Sequence, residues 1–166
     1  SICEGAIKIE DLKIFCKDNK IRSVGLSDTS NLCGSLEFAE NISKVGSQPI
    51  IGTQINFTFE NTTGLLPLIA LNKKGYKRIL ELSSKSYLEN ESTSLPNLNI
   101  SELLKDSDGI IVFSGSIQGL FGKLFNKGKF DEIKKLYIDL FKHYGDRFYL
   151  EIQRHGDVNE FEFEKN

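Results

Sequence analysis

The amino-acid sequence predicts an α/β fold in which a mainly parallel sheet is flanked by helices. First, short β-prone runs alternate along the chain with segments of helical periodicity, which is typical of βαβ units. Second, residues 109–113 are almost continuously apolar, as in a strand that is buried on both faces. Third, the 166 residues, 39% of them hydrophobic, suffice for one core. We therefore expect a single domain over residues 1–166.

Each predicted element rests on the spacing of its apolar residues. Apolar residues three or four apart among charged ones predict helices over 6–20, 32–45, 73–88, 117–125 and 130–144, and a short helix after a cap at Asn99. Compact β-prone runs predict strands near 21–26, 49–57, 66–71, 109–113 and 148–152. Residues 59–65 are interpreted as a connection, 89–97 as a polar loop, and the end of the chain as a charged tail.

The composition excludes several classes of protein. The net charge is −2, and the lysines that cluster near residues 127–142 alternate with acidic residues, which favours a solvated helix face over a nucleic-acid track. The apolar runs are too short to span a bilayer. Three cysteines without CxxC spacing argue against a disulfide framework or a zinc knuckle, and together with the lack of a leader they favour a reduced cytoplasm.

Two polar patches follow predicted strands. Residues 27–34 read SDTSNLCG, and residues 49–54 read PIIGTQ. A carboxylate at the end of a parallel strand is where α/β proteins place ligands and catalytic bases, so Asp28 is a candidate. The alternative is that Asp28 or Ser30 caps the helix that begins near Leu32.

Further patches follow the last two predicted strands. Residues 114–116 read SGS, and residues 148–156 read FYLEIQRHG. Ser116 is interpreted as the cap of a helix starting at Ile117. His155 is a candidate ligand or acid/base, but with no acidic partner evident we favour a hydrogen-bonded polar residue.

These motifs resemble the PHP (polymerase and histidinol phosphatase) domain, and more narrowly the PHP domain of the bacterial DNA polymerase III alpha subunit. Family members commonly read T-D-H-G-N-L, P-I-I-G-C-E, S-G-C and Y-L-E-L-Q-R-H-G at the matching places. The resemblance runs from residue 1 to 156. It implies an incomplete PHP-type distorted α/β (TIM-like) barrel, in which the family's first strand and last strands lie outside this fragment.

The resemblance also identifies where ligands would lie. Glu4, Asp28, Thr29, Gln54, Ser116 and His155 are the matching cleft positions. Thr29, Gln54 and Ser116 stand where the family has histidine, glutamate and cysteine, so the site is degenerate. We therefore expect no catalytic residue, no metal and no cofactor in this fragment; the family alternative is Zn, Mn or Mg.

Three functions remain open. The first is a non-catalytic PHP scaffold in DNA replication, contacting the rest of the polymerase alpha subunit and the proofreading exonuclease subunit, with DNA reached only through the parent enzyme. The second is a metal-dependent phosphoesterase of 3'-5' exonuclease or pyrophosphatase type. The third is an unrelated barrel enzyme acting on a sugar phosphate. The parent family is a DNA-directed DNA polymerase, a nucleotidyltransferase, whereas we expect the fragment alone to be inactive.

An incomplete barrel leaves strand edges open. Unpaired N–H and C=O groups at such an edge can pair with another copy of the chain. We therefore expect a homo-oligomer of the fragment unless a helix covers the edge.

Overall fold

A computed structural model describes residues 7–91 and 94–165, which form a sheet flanked by helices. The strands are β1 (Ser23–Thr29), β2 (Gln48–Phe59), β3 (Thr62–Ala70), β4 (Leu98–Asn99), β5 (Ile110–Phe113) and β6 (Phe148–Tyr149). The helices are α1 (Ile9–Asp18), α2 (Ser35–Ser43), α3 (Lys73–Leu88), α4 (Ile100–Leu104), α5 (Leu120–Asn126), α6 (Phe130–Tyr144) and α7 (Val158–Lys165). A 3-10 turn, Gly145–Arg147, links α6 to β6.

The strand order is β1-β2-β3-β5-β6, and β4 also pairs with β2. β1 and β4 run parallel to β2, and β6 runs parallel to β5. β3 is antiparallel to both of its neighbours, β2 and β5. Five of the six described strands therefore share one direction, which makes the sheet mostly parallel as expected.

The prediction of a connection over 59–65 is wrong. β3 begins at Thr62, and a tight turn at Glu60 joins β2 to β3 as a hairpin. Glu60 adopts a left-handed backbone, with φ of 49°, a conformation that is usually signalled by Gly or Asn and not by Glu. The hydroxyls of Thr58 and Thr63 lie 2.7 Å apart across the hairpin. The chain therefore departs from simple βαβ alternation at this point.

Helix starts and ends follow capping chemistry. The side chain of Asn72 accepts a hydrogen bond from the Gly75 N–H (3.0 Å), and Asn99 accepts one from the Ser101 N–H (2.9 Å), which confirms the cap predicted at Asn99. α6 ends at Tyr144, and the residue after it, Gly145, has a φ of 54° that suits a residue without a Cβ.

Two helix starts differ from prediction. α2 begins at Ser35 and not near Leu32, and its N-cap Gly34 makes no side-chain cap hydrogen bond. α5 begins at Leu120 and not at Ile117. In both places a turn of irregular backbone precedes the helix, because local side-chain hydrogen bonds hold the chain out of helical geometry.

The end of the chain also differs from prediction. The strand expected over 148–152 is limited to Phe148–Tyr149, and the expected charged tail contains α7. Asp157 Oδ1 accepts a hydrogen bond from the Asn159 N–H (2.8 Å), and Glu160 Oε2 accepts one from the Asp157 N–H (3.4 Å). This Asp-x-x-Glu arrangement is a capping box, a signal that was present in the sequence.

Two apolar clusters hold the fold together. The larger packs α3, α4, α5 and α6 against the sheet, through side chains such as Leu68, Leu82 and Leu136, which are fully buried. The smaller joins α1 and α2 to β1 and the start of β2, around Phe38 and Ile42. No helix in the described part of the chain combines the length and the apolar character that a membrane crossing requires.

Candidate functional site

The parallel pairing of β1 with β2 brings two of the predicted polar patches together. Asp28 pairs with Thr53, and Thr29 pairs with Gln54. Thr29 and Gln54 therefore lie side by side on one face of the sheet, whereas the adjacent residue Asp28 shares the opposite face with Thr53.

The loop after β1 is fixed by its neighbours. Ser30 has a φ of 57°, and its N–H donates to the Gln54 carbonyl at 2.7 Å. The buried Thr53 hydroxyl lies 2.7 Å from the Asp28 carbonyl and 3.0 Å from the Asn31 carbonyl. From α3, the Tyr87 hydroxyl donates to the Ser30 carbonyl at 2.9 Å. β2 and α3 thus hold this loop, and neither Thr53 nor Tyr87 was singled out from the sequence.

Asp28 is buried, with 6% of its surface exposed. Its Oδ2 lies 3.4 Å from the position that a Cβ on Gly34 would take, so the carboxylate lies against the start of α2. The partial positive charge of a helix N-terminus favours a carboxylate there. The prediction that Asp28 or Ser30 is the N-cap of this helix is wrong, because that position belongs to Gly34. Instead, Asn31 Oδ1 accepts a hydrogen bond from the Cys33 N–H at 3.1 Å.

The named strand neighbours of Asp28, which are Ser27, Thr29 and Gln54, are neutral. Gln54 Nε2 donates a long hydrogen bond of 3.4 Å to the Ser27 carbonyl. The Ser27 hydroxyl is buried and has no hydrogen-bond partner among the described residues. One carboxylate beside an amide and hydroxyls is a poor donor set for Zn²⁺ or Mn²⁺, which bind carboxylate, imidazole and thiolate ligands. These residues do not fit such a metal.

Ser116 follows β5, which lies three strand positions away from the strand that carries Asp28. One row of paired residues runs across the sheet from Asp28 through Thr53, Leu68 and Val112 to Phe148. Since strands are spaced about 4.8 Å apart, β1 and β5 are separated by about 14 Å along an unrolled sheet. Ser116 Oγ accepts a hydrogen bond from the Gln118 N–H at 3.3 Å, so it stabilises a turn and does not cap α5 as expected.

His155 is held by Glu160. The Glu160 carboxylate accepts hydrogen bonds from the His155 backbone N–H (2.7 Å) and from Nδ1 (2.8 Å). The hydrogen bond from the His155 side chain, followed by that from its backbone, lowers the pKa of Glu160 below its usual value. The expectation that His155 is a hydrogen-bonded polar residue is confirmed. Its partner was missed, although the capping box contains it.

The structure therefore brings together three of the six candidate positions. Asp28, Thr29 and Gln54 are neighbours in the backbone of β1 and β2, although Asp28 faces the other side of the sheet, whereas Ser116 and His155 belong to turns near β5 and β6. Glu4 lies outside the described residues. Within residues 7–91 and 94–165, no group of three or more His, Cys, Asp or Glu side chains converges in a way that could hold a metal ion.

A cavity of about 580 Å³ lies elsewhere, between α5, α6, α7 and the segment 150–153. Its walls are mainly apolar and include Ile117, Phe121, Tyr137, Ile152 and Phe163. None of Asp28, Thr29, Gln54, Ser116 and His155 lines it. The helical periodicity of α6 predicts which face of the helix is apolar, but the sequence does not reveal that a cavity lies beside that face.

Comparison with known proteins agrees with the family resemblance of the sequence motifs. A model of the PHP domain matches residues 1–155. The DNA polymerase III subunit alpha of Caulobacter vibrioides is 34% identical over 164 residues, covering 94% of this chain and 14% of that protein. The same subunit of Rickettsia bellii is 32% identical over 169 residues, covering 100% of this chain and 14% of that protein.

The chain thus spans about one seventh of the length of these curated relatives. A solved structure described as that of a metal-dependent phosphoesterase from Bifidobacterium adolescentis has a TM-score of 0.36 and 14% identity, covering 82% of this chain and 50% of that one. That likeness is too weak to bear on fold or function.

Proposed function

Because the chain belongs to the PHP domain family, we propose that it is the PHP part of a DNA polymerase III alpha subunit and acts as a non-catalytic interaction domain in DNA replication. The rest of the polymerase subunit is the first partner that this proposal implies. The proofreading exonuclease subunit is the second. DNA is then reached only through the parent enzyme.

The chemistry around Asp28 carries this proposal. Hydrolysis of a phosphodiester by metal ions needs several charged ligands that converge on the metal and activate a water molecule. Here a single carboxylate lies against α2, and its neighbours Thr29 and Gln54 are neutral. Such a group can stabilise the loop that follows β1, but it cannot supply the charge that a two-metal site requires. A scaffold role requires the folded domain but no bound metal.

The strand directions support the same fold family. Five described strands share one direction, and β1 and β6 lie at the two ends of the strand order. We propose that these strands are part of a distorted barrel whose remaining strands come from the rest of the polymerase polypeptide. Supplying those strands would cover the open edges, whereas the isolated chain would associate with itself.

Metal content and hydrolytic activity test the non-catalytic role. Protein purified without chelator is expected to hold far less than one equivalent of zinc, manganese or iron. It is also expected to hydrolyse neither the 3' end of single-stranded DNA nor pyrophosphate in Mg²⁺, Mn²⁺ or Zn²⁺. Near-stoichiometric metal that is lost in Asp28→Asn, or turnover that depends on Asp28, would favour the phosphoesterase instead.

A variant that introduces metal-binding side chains provides a second test. Because Thr29 and Gln54 are paired residues on neighbouring strands, Thr29→His combined with Gln54→Glu places an imidazole beside a carboxylate, so we expect Zn²⁺ or Mn²⁺ affinity to rise at least tenfold. Thr58→His, on the same strand but remote from Asp28, is the matched control. The proposed partner is tested separately, by titrating the chain with the proofreading exonuclease subunit in a calorimeter. If no heat of binding is measured, the exonuclease subunit is not a partner of this chain.

A further inference from the structure

The turn between α4 and β5 contains an Asp-Gly pair, Asp108–Gly109. Asp108 is the only aspartate or asparagine of the sequence that is followed by glycine. Its side chain is 65% exposed, and neither residue of the pair belongs to a helix or a strand. Because glycine has no side chain to hinder its own amide nitrogen, that nitrogen can reach the carboxyl carbon of the preceding residue. Asp108 is therefore the aspartate that is most open to attack by the main chain.

The reacting atoms of this pair lie close together. A hydrogen bond from Lys74 and the positive charge of that lysine lower the pKa of Asp108 below its usual value, and the Gly109 N–H adds to the effect. An N–H acts in this way only at short range, so the Gly109 amide nitrogen lies beside the carboxylate that it would attack. The turn itself is fixed by the Asp108 N–H, which donates to Asp106 Oδ1 at 3.1 Å.

Lys74 determines which form of the Asp108 carboxyl group is favoured. Its Nζ lies 3.0 Å from Asp108 Oδ2 and 3.8 Å from Asp106 Oδ2. Closure of a ring between the amide nitrogen and the carboxyl carbon expels water. This step needs the neutral acid, because an ionised carboxylate is a poor electrophile and has no hydroxyl group to lose. The lysine favours the ionised form and therefore opposes ring closure.

We propose that Asp108 is a site of spontaneous aspartate isomerisation, and that the ion pair with Lys74 restrains the reaction. The Gly109 amide nitrogen attacks Cγ of the neutral Asp108 side chain and forms a C–N bond, while the carboxyl hydroxyl and the amide proton leave together as water. Water then adds to one of the two carbonyl carbons of the resulting succinimide. Addition at Cγ restores aspartate, whereas addition at the main-chain carbonyl carbon breaks its bond to nitrogen and gives isoaspartate. Water is the sole co-reactant, and no atom is gained or lost overall.

The fold cannot absorb the change in the main chain without losing contacts. Isoaspartate routes the main chain through the side chain and so adds one carbon between Asp108 and Gly109. On either side of the pair, Arg147 donates hydrogen bonds to the carbonyls of Ser107 and Ile110. The Gly109 carbonyl accepts a hydrogen bond from the N–H of Leu71 at 2.8 Å. At least one of these contacts must break, so the modified protein is expected to unfold at a lower urea concentration than the unmodified protein.

Incubation of the full chain at neutral pH in water labelled with ¹⁸O measures the reaction, because each hydrolysis of the succinimide inserts one ¹⁸O atom at position 108. Peptide mapping of the wild type is expected to show both the label and isoaspartate there. Lys74→Gln should raise the rate at least about threefold, since the carboxyl group is then neutral more often. Lys77→Gln, which changes another exposed lysine of α3, should leave the rate unchanged. Asp108→Glu keeps the carboxylate but requires a larger and less readily formed ring, so it should abolish labelling.

Absence of isoaspartate at position 108 in the wild type would overturn the assigned site, and equal rates in the wild type and Lys74→Gln would overturn the role of the ion pair. Thr53→Val separates this role from general unfolding, because it removes a hydrogen bond of the loop after β1 and should leave the rate unchanged. A rate that rises equally in Thr53→Val and Lys74→Gln would show that the reaction takes place in the unfolded chain, and would also overturn the restraint by Lys74. These outcomes are independent of the proposed function, since none involves a metal, hydrolysis of DNA or a protein partner.

Discussion

Both the backbone nitrogen and Nδ1 of His155 donate hydrogen bonds to the carboxylate of Glu160, at 2.7 and 2.8 Å. The His155 side chain is 73% exposed, whereas that of Glu160 is only 9% exposed. The buried carboxylate of Glu160 therefore fixes the position of the exposed His155 side chain. Because Glu160 also belongs to the capping box of α7, the position of His155 is tied to the start of that helix.

Glu160→Gln should loosen α7 and remove its response to acid. The folded pKa of Glu160 is lowered below 4.5, so its stabilising contribution is fully present above pH 4.5 and is lost as the pH falls through the folded value. In the wild type, the ¹³Cα shifts of α7 should move toward coil values with that titration. Glu37→Gln, on α2, is the control. An acid transition of α7 that persists in Glu160→Gln would contradict this assignment.

Glu102 should remain ionised far into the acid range. Hydrogen bonds from Lys105, first, and then from Lys85 lower its pKa to about 2. Carboxyl ¹³C NMR should show this midpoint, with Lys105→Gln raising the pKa more than Lys85→Gln and Lys77→Gln leaving it alone. The stability that ionised Glu102 contributes is present above pH 4.5 and declines only as the pH approaches about 2. A midpoint near 4.5 would exclude the two ion pairs in solution.

Thr53→Val should destabilise the loop that follows β1. The fully buried Thr53 hydroxyl serves the carbonyls of Asp28 and Asn31, and valine retains the shape while leaving these carbonyls without that donor. Leaving such groups unsatisfied costs about 1–3 kcal/mol, measurable by urea unfolding. Thr53→Ser restores the hydroxyl and should recover most of this free energy. Equal losses in both variants would indicate packing instead of hydrogen bonding.

Gly75→Ala should destabilise the packing of α3 against the residue that precedes β5. A Cβ at Gly75 would lie 1.8 Å from the Gly109 carbonyl oxygen, a backbone atom that cannot move aside alone. We expect the free energy of unfolding to fall by about 3 kcal/mol, at the upper end of the usual range for overpacking. Gly25→Ala is the matched control, because its nearest contact would be 3.9 Å away. Equal stability of the two variants would contradict this packing.

Much of the fold follows from local patterns. The bounds of α3 and α6 agree with prediction, because long amphipathic helices carry many residues of consistent period. The hairpin between β2 and β3 was missed, since Glu60, and not Gly or Asn, occupies the left-handed position of the turn. The length of β6 was overestimated, because pairing with β5 and not β-propensity limits that strand.

The sequence by itself determined the family, the mostly parallel α/β class and the neutral residues beside Asp28, because these depend on residue identity and on spacing along the chain. Only the tertiary structure decided which polar patches meet. Asp28 and Gln54 are neighbours in the backbone because β1 pairs in register with β2, whereas β3 lies between β2 and β5, the strand that precedes Ser116. The hydrogen bond between His155 and Glu160 likewise depends on a through-space distance, which sequence spacing does not specify.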